Sequence, residues 1–188
     1  METKRILHIF SVLENIPRTG WLQRGVPRFE AETIAGHTFK VTAILSLITL
    51  RLSSKEDKVD GKKMILMGMI HDLAEAISGD MPKNLSKVLG QEEKERIEFE
   101  LLRDIGERWD GLLELFSEYI SRKTIEAKIV KLADLLATLR QAEEYRKRGF
   151  EVSDILDSCE SEVGKLIDEI HDAEISDLLR EVLFNPSR

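Results

Sequence analysis

Apolar residues along this chain recur every three or four positions, the spacing of helices that bury one face. From Thr3 to Asn15, the residues Ile6, Leu7, Ile9, Phe10 and Leu13 mark a first amphipathic helix. Pro17 closes it, because the residue before a proline is driven out of helical geometry. The stretch PRTGWLQRGVPRFEAET has no such period and reads as an irregular connection. Unstructured connections of that length are usually functional or disordered. With Arg18, Trp21, Arg24 and Arg28 in it, this one reads as ordered over a site. A second helix is expected from about Glu32–Thr33 to Leu52, with Ile34, Val41, Ile44, Leu45, Leu47, Ile48 and Leu52 as its buried side and His37 in its first turns. The polar loop SSKEDKVDGKK follows, and its Asp60 is placed to cap the next helix.

That helix contains MILMGMIHDLAEAISGDMP, Met64 to Pro82, and is expected to stop at Gly79 with Pro82 beyond. It is apolar around most of its circumference, which marks a buried helix. Lys83 to Gly90 allows one short helical turn, and from Gln91 an amphipathic helix points Ile97, Leu101, Leu102 and Ile105 inward. After a break near Asp110–Gly111, Gly111 to Ser121 forms a further piece. Thr124 to Arg148 predicts a long helix with Gly149 just past its end. Ser153 caps another that runs to about His171, and Ile175 to Phe184 forms the last. With no alternating strand pattern, internal repeat or low-complexity tract, the fold class is all-α.

Composition narrows this picture. A chain of 188 residues and 21.5 kDa, 42% hydrophobic and 34% charged, fits one soluble globular domain over 1–188. The net charge of −7 and pI near 5.3 argue against a nucleic-acid polymer as partner, yet leave room for a small anion in a local basic pocket. The single cysteine, Cys159, excludes an intramolecular disulfide, suggests a reducing compartment and reads as structural. The N-terminal apolar run is too short and interrupted for a signal peptide or membrane span, so the expected location is cytoplasmic, without a membrane partner.

The candidate chemistry lies where acids and imidazoles sit in apolar company: His37, His71, Asp72, Glu75 and Asp134. Asp134 is the one acid between Val130 and Leu139, and an unpaired buried carboxylate costs several kcal/mol. A divalent ion pairs such groups, and imidazole nitrogen and carboxylate oxygen suit Zn, Mn, Co, Ni or Fe without selecting among them. Two histidines and two aspartates leave coordination positions open for water and substrate. Glu75 follows Asp72 by three residues, the place for an acid–base carboxylate on the same face. Asp80, after Gly79, is placed to reach back over the metal or toward substrate hydroxyls. No P-loop, Rossmann glycine pattern, HExxH or GxSxG competes.

His37, His71–Asp72 and Asp134 resemble the metal-ligand signature of the HD-domain phosphohydrolases. HDLAEAISGDMP resembles more narrowly the 5′-deoxynucleotidase branch, with its HD-x-x-E-x-x-x-GD-x-P pattern. PRTGWLQRGV and AKIVKLADLLATL are similar to that branch too, so the likeness runs from about Arg18 to Leu139. It implies an HD-domain helical bundle with the metal site in its core, completed by the C-terminal helices. The implied reaction removes the 5′-phosphate from deoxyribonucleoside monophosphates, with a divalent transition metal and a homodimeric enzyme. By the same resemblance His37, His71, Asp72 and Asp134 bind the metal, and Glu75 acts on the attacking water or leaving group. Asp80 supports the sugar or the catalytic network, Arg18 holds phosphate, and Trp21 shapes the deoxyribose pocket. Lys83 or Arg24 would assist Arg18 at the phosphate. Two other readings compete: hydrolysis of a different nucleotide phosphoester, and a non-catalytic metal-stabilised module that binds a nucleotide or a protein.

Overall fold

The computed structural model of the chain describes residues 2–53, 58–106, 109 and 111–184; the side chains of 2–6, 83, 104 and 182–184 lie outside that description. The described residues form α1 (Glu2–Asn15), α2 (Thr19–Leu22), α3 (Ile34–Arg51), α4 (Gly61–Ile70), α5 (Glu75–Ser78) and α6 (Lys83–Leu89). They continue as α7 (Gln91–Gly106), α8 (Leu112–Ser121), α9 (Ile125–Lys147), α10 (Ser153–Asp168) and α11 (Ala173–Phe184). The fold is all-α, its sole extended pairing among the described residues being an isolated bridge from Pro17 to Thr33. None of these helices is long and apolar enough to cross a membrane.

Side-chain caps set three of the helix starts. Thr33 accepts the Gly36 amide at 3.1 Å, Asp60 the Lys63 amide at 2.9 Å and Thr124 the Ala127 amide at 3.3 Å. These begin α3, α4 and α9, the helices that pack on one another and carry the candidate site. The centre is α9, buried around most of its circumference and packed against α3, α4, α8 and α10. One core joins it to Val41, Leu45 and Ile48 of α3, Met64 and Met67 of α4, and Leu156 and Val163 of α10. A second core gathers Ile9 and Leu13 of α1, Ile34, Leu73, Leu102 and Phe116. Between Ile34 in one core and Val41 in the other stands His37, so the seam between the cores is where the polar groups collect.

Besides Ser153, which is the first residue of α10 rather than its cap, the structure departs from the sequence expectation in four places. The connection before α3 is less irregular than its composition suggested: it contains α2 and is pinned by the Pro17–Thr33 bridge. Lys83–Leu89 is a full helix rather than one turn. Leu47, expected inside, is 62% exposed, and Leu7 also faces outward; both helices are apolar on more than one side, so period alone does not choose the inner face. The fourth departure matters most. The helix expected to run through to Gly79 ends at Ile70 and resumes at Glu75. The His71 ring nitrogen Nδ1 bonds the Gly68 carbonyl at 2.8 Å, so a side chain takes an acceptor from the helical ladder. Beyond it Leu73 bonds Ile70, Glu75 bonds Asp72 and Ala76 bonds Leu73, all across three residues. At three residues per turn, positions three apart eclipse, which stacks Glu75 over Asp72.

Candidate active site

Three elements converge on the seam: α3 brings His37, the turn after α4 brings His71 and Asp72, and α9 brings Asp134. His37, His71 and Asp72 each offer a ligand atom, all within 4.8 Å of one another. His71 Nε2 is 3.1 Å from Asp72 Oδ2, and His37 Nε2 is 3.9 Å from that same oxygen. Asp134 Oδ1 meets His37 Nε2 at 2.9 Å, while its other oxygen takes the Lys131 ammonium at 2.7 Å. The His71 contact to Gly68 has a chemical consequence. A carbonyl only accepts, so Nδ1 carries a proton, and in the neutral ring Nε2 is the lone-pair nitrogen that faces the cluster. That Nε2 is buried and without a hydrogen-bond partner, as is His37 Nδ1. The His71 orphan, aimed into the cluster, fits a group that accepts lone pairs, and the donor set of imidazoles and carboxylates suits a divalent transition ion.

Burial would raise the Asp134 carboxyl, but Lys131 and the His37 hydrogen bond hold it well below the usual range. Asp72 likewise sits low against burial, through His71. Burial, and then the Arg18 charge, lowers the His37 imidazole and favours its neutral form. Glu75, 8% exposed, goes the other way: burial, then the charges of Asp72 and Asp80, push it well above the ordinary carboxylate range.

A cleft of about 720 Å³ opens above this floor, its walls including Arg18, Trp21, Asp80, Lys94 and Tyr119. Arg18 reaches it from a segment held at both ends. Its own amide donates to the Glu32 carbonyl at 2.9 Å, and the next amide, of Thr19, donates to the Asp80 carboxylate. Burial works against the Arg18 charge, but Asp72, Asp134, Glu32 and Glu75 more than offset it and keep the guanidinium protonated. Its Nη1 is buried without a partner. Trp21 is 2% exposed, edge-on to Tyr145 with ring centroids 5.0 Å apart, and donates from Nε1 to Glu32 at 3.2 Å. It is therefore a fixed wall of the cleft. Arg24 also lines the cleft, where it pairs with Asp154 of α10 and the Gly20 carbonyl. Lys83 opens α6, but its side chain lies outside the described residues.

Residues 10–172 match the family model described as HD domain. The chain belongs to the HD-domain family. It is 30% identical to the 5′-deoxynucleotidase HDDC2 of Mus musculus over 86% of this chain and 78% of that protein. It is 32% identical to the 5′-deoxynucleotidase hdd1 of Schizosaccharomyces pombe over 76% of this chain and 71% of that one. Among solved structures, a conserved hypothetical protein from Pyrococcus furiosus superposes with a TM-score of 0.75 at 34% identity, covering 95% of each chain. An HD-domain phosphohydrolase from Listeria innocua, 20% identical with a TM-score of 0.67 over 96% of this chain and 85% of that one, shares the fold.

In this HD domain the sequence reading passed over several site residues. Lys131 stands three before Asp134 on α9, a pairing that helical spacing could have flagged. Tyr119 stands edge-on to His71 with ring centroids 5.8 Å apart, and Lys94 lines the far wall beside Glu98 at 3.3 Å. Glu32, which Trp21 of α2, Lys40 of α3 and Tyr145 of α9 meet only in the fold, carried no signal.

Proposed function

We propose that this protein is a metal-dependent phosphohydrolase that converts deoxyribonucleoside 5′-monophosphates to deoxynucleoside and phosphate, acting as one HD domain over residues 1–188. The observation that carries the reading is the buried His37–His71–Asp72 cluster, with its unpartnered His71 Nε2, on the floor of a cleft that also holds Arg18. His37, His71, Asp72 and Asp134 hold the metal. When bound, a divalent ion lowers the pKa of water and offsets phosphate charge. Arg18 grips the non-bridging phosphate oxygens through charge-assisted hydrogen bonds, using the Nη1 that has no protein partner. Glu75 moves the proton between attacking water and departing 5′-oxygen. Trp21 walls the sugar end, and Asp80 acts there chiefly by fixing Thr19 and hence Arg18. Lys94 replaces Arg24 as the second phosphate cation, with Lys83 a further candidate. One in-chain cysteine with no disulfide to maintain suits the cytoplasm.

The test is phosphate release from a panel of deoxyribonucleoside and ribonucleoside 5′-monophosphates, nucleoside triphosphates, a cyclic dinucleotide and a guanosine tetraphosphate, before and after chelation. Release from the deoxyribonucleoside monophosphates alone, lost with chelator and restored by one of Mn, Co, Zn, Ni or Fe, is expected. Release from the larger anions instead would assign another phosphoester. No release from any, with melting temperature indifferent to chelator, would leave a binding module. Elemental analysis of the purified protein names the ion.

A second copy of the chain is the proposed macromolecular partner. The outer face of α3 exposes Phe39 at 74%, Leu47 at 62% and Leu50 at 70%, bordered by Leu66 and Met69 of α4. Beside them runs an apolar groove of about 380 Å³ over Phe10, Thr42, Ala43, Ser46 and Met69. Knobs and groove lie on one patch, so a two-fold axis pairs each with its complement. A standard interface takes roughly 800 Å² from each partner, and these exposed apolar side chains would form the centre of such a patch.

A further inference from the structure

Glu32 is a nearly inaccessible carboxylate, just before the N-cap of α3, that the catalytic roles above leave unused. Its side chain is held from two sides. Oε1 takes the Lys40 ammonium at 2.7 Å, and Oε2 takes the Trp21 indole N–H at 3.2 Å. Its backbone is held as well: the amide donates to the Tyr145 hydroxyl at 2.8 Å, and the carbonyl receives the Arg18 amide at 2.9 Å. A carboxylate gripped this way has little freedom to turn. It faces the buried, unpartnered Nδ1 of His37, 4.0 Å from Oε2.

A neutral imidazole carries one N–H. With His37 Nε2 bonded to Asp134, as here, that proton sits on Nε2 and Nδ1 presents a lone pair to Glu32. This explains why the two stand apart. Committing Nε2 to a metal moves the single proton to Nδ1, with no net change in proton count, and creates a buried donor that needs an acceptor. We infer that Glu32 is the positioning residue that accepts the His37 Nδ1–H, and that through Trp21 and the Arg18 amide it links the ring's orientation to the phosphate-binding segment. The inference rests on the metal reading of the cluster. Carboxylate partners of ligating histidines fix the tautomer and raise ligand basicity, and losing one typically costs about 10–100-fold in metal affinity.

The experiment titrates manganese into metal-free wild type, Glu32→Gln and Glu32→Leu by calorimetry, and records long-range 1H–15N histidine spectra of zinc-loaded wild type. The spectra are expected to place the His37 proton on Nδ1. Glu32→Leu is expected to lose about 10–100-fold in affinity. Glu32→Gln should recover much of that, since its amide oxygen can still accept. Wild type that binds neither ion overturns the metal reading itself. Binding by wild type with the His37 proton on Nε2 overturns the Glu32 assignment alone, as does a folded Glu32→Leu of undiminished affinity or a glutamine no better than leucine. The spectral result needs no variant, so it decides the matter even where Glu32→Leu does not fold.

Discussion

Asp134 and Glu75 are both buried acids lining one cleft, yet their surroundings push them in opposite directions. Lys131 and His37 prevail over burial at Asp134 and hold it as an anion, the state a ligand needs. Burial, reinforced by Asp72 and Asp80, favours the neutral form at Glu75, the state of a group that exchanges protons. The division predicts different failures. Asp134→Ala is expected to lose both bound metal, read by elemental analysis, and turnover. Glu75→Gln keeps the shape of the side chain and leaves the four proposed ligands in place, so it should retain the ion and lose about 10²–10⁴-fold in turnover. A Glu75→Gln enzyme at full rate would remove that residue from the mechanism. These residues were legible in the sequence because an acid in IVKLADLLATL, and HD at the end of an apolar run, contradict their surroundings. Glu32 was not legible: its partners Trp21, Lys40 and Tyr145 lie 11, 8 and 113 residues away, and only packing brings them together.

At the scale of elements, the break between α4 and α5 was hidden from sequence for a related reason. Helical periodicity continues through the break, and the event that ends α4 is a hydrogen bond from the His71 ring to Gly68, which no spacing rule encodes. Gly68 has a second task, since a Cβ there would collide with the Leu45 side chain of α3. Gly68→Ala should gain up to about 1 kcal/mol of helix propensity. It should lose about 1–3 kcal/mol by overpacking. The expected outcome is a net destabilisation, seen as a lower urea midpoint, together with weaker metal binding as His37 and His71 separate. A raised midpoint would mean that Leu45 turns aside freely. On the opposite side of α4, Glu118 of α8 binds Lys63 at 2.8 Å and Thr124, the N-cap of α9, at 2.7 Å. Burial would raise this carboxyl, but those two hydrogen bonds win and lower it. A carboxylate lowered in the fold stabilises above its unfolded pKa, about 4.3, and loses that contribution as pH falls through the folded value. Wild type should therefore lose stability faster than Glu118→Gln below about pH 4.3. Thermal melts of the two across that window, with parallel curves, would show that the contacts contribute nothing.

The whole molecule places its polar site on the seam between two apolar cores, and that leaves α3 with an unusual burden. Its inner face supplies His37, Val41, Leu45 and Ile48, yet Phe39, Leu47 and Leu50 make the outer face apolar as well. A helix that is apolar all round belongs in an interior, and within one copy of this chain only half of α3 is in one. Sequence pattern reported the apolarity correctly and assigned Leu47 to the wrong side, because apolar residues on two faces of one helix share its period. If a second copy covers this face, the helix bearing His37 and the end of α4 leading to His71 are braced from outside, and assembly should tune the site without entering it. Leu47→Glu with Leu50→Lys places opposite charges three residues apart on the exposed stripe, so the monomer keeps its core and its net charge while the paired surface loses its apolar centre. Light scattering is expected to halve the mass of the wild-type particle on this double substitution, with helicity preserved and manganese affinity reduced. A wild-type particle of monomer mass, or a double variant that stays dimeric, would separate the outer face of α3 from assembly.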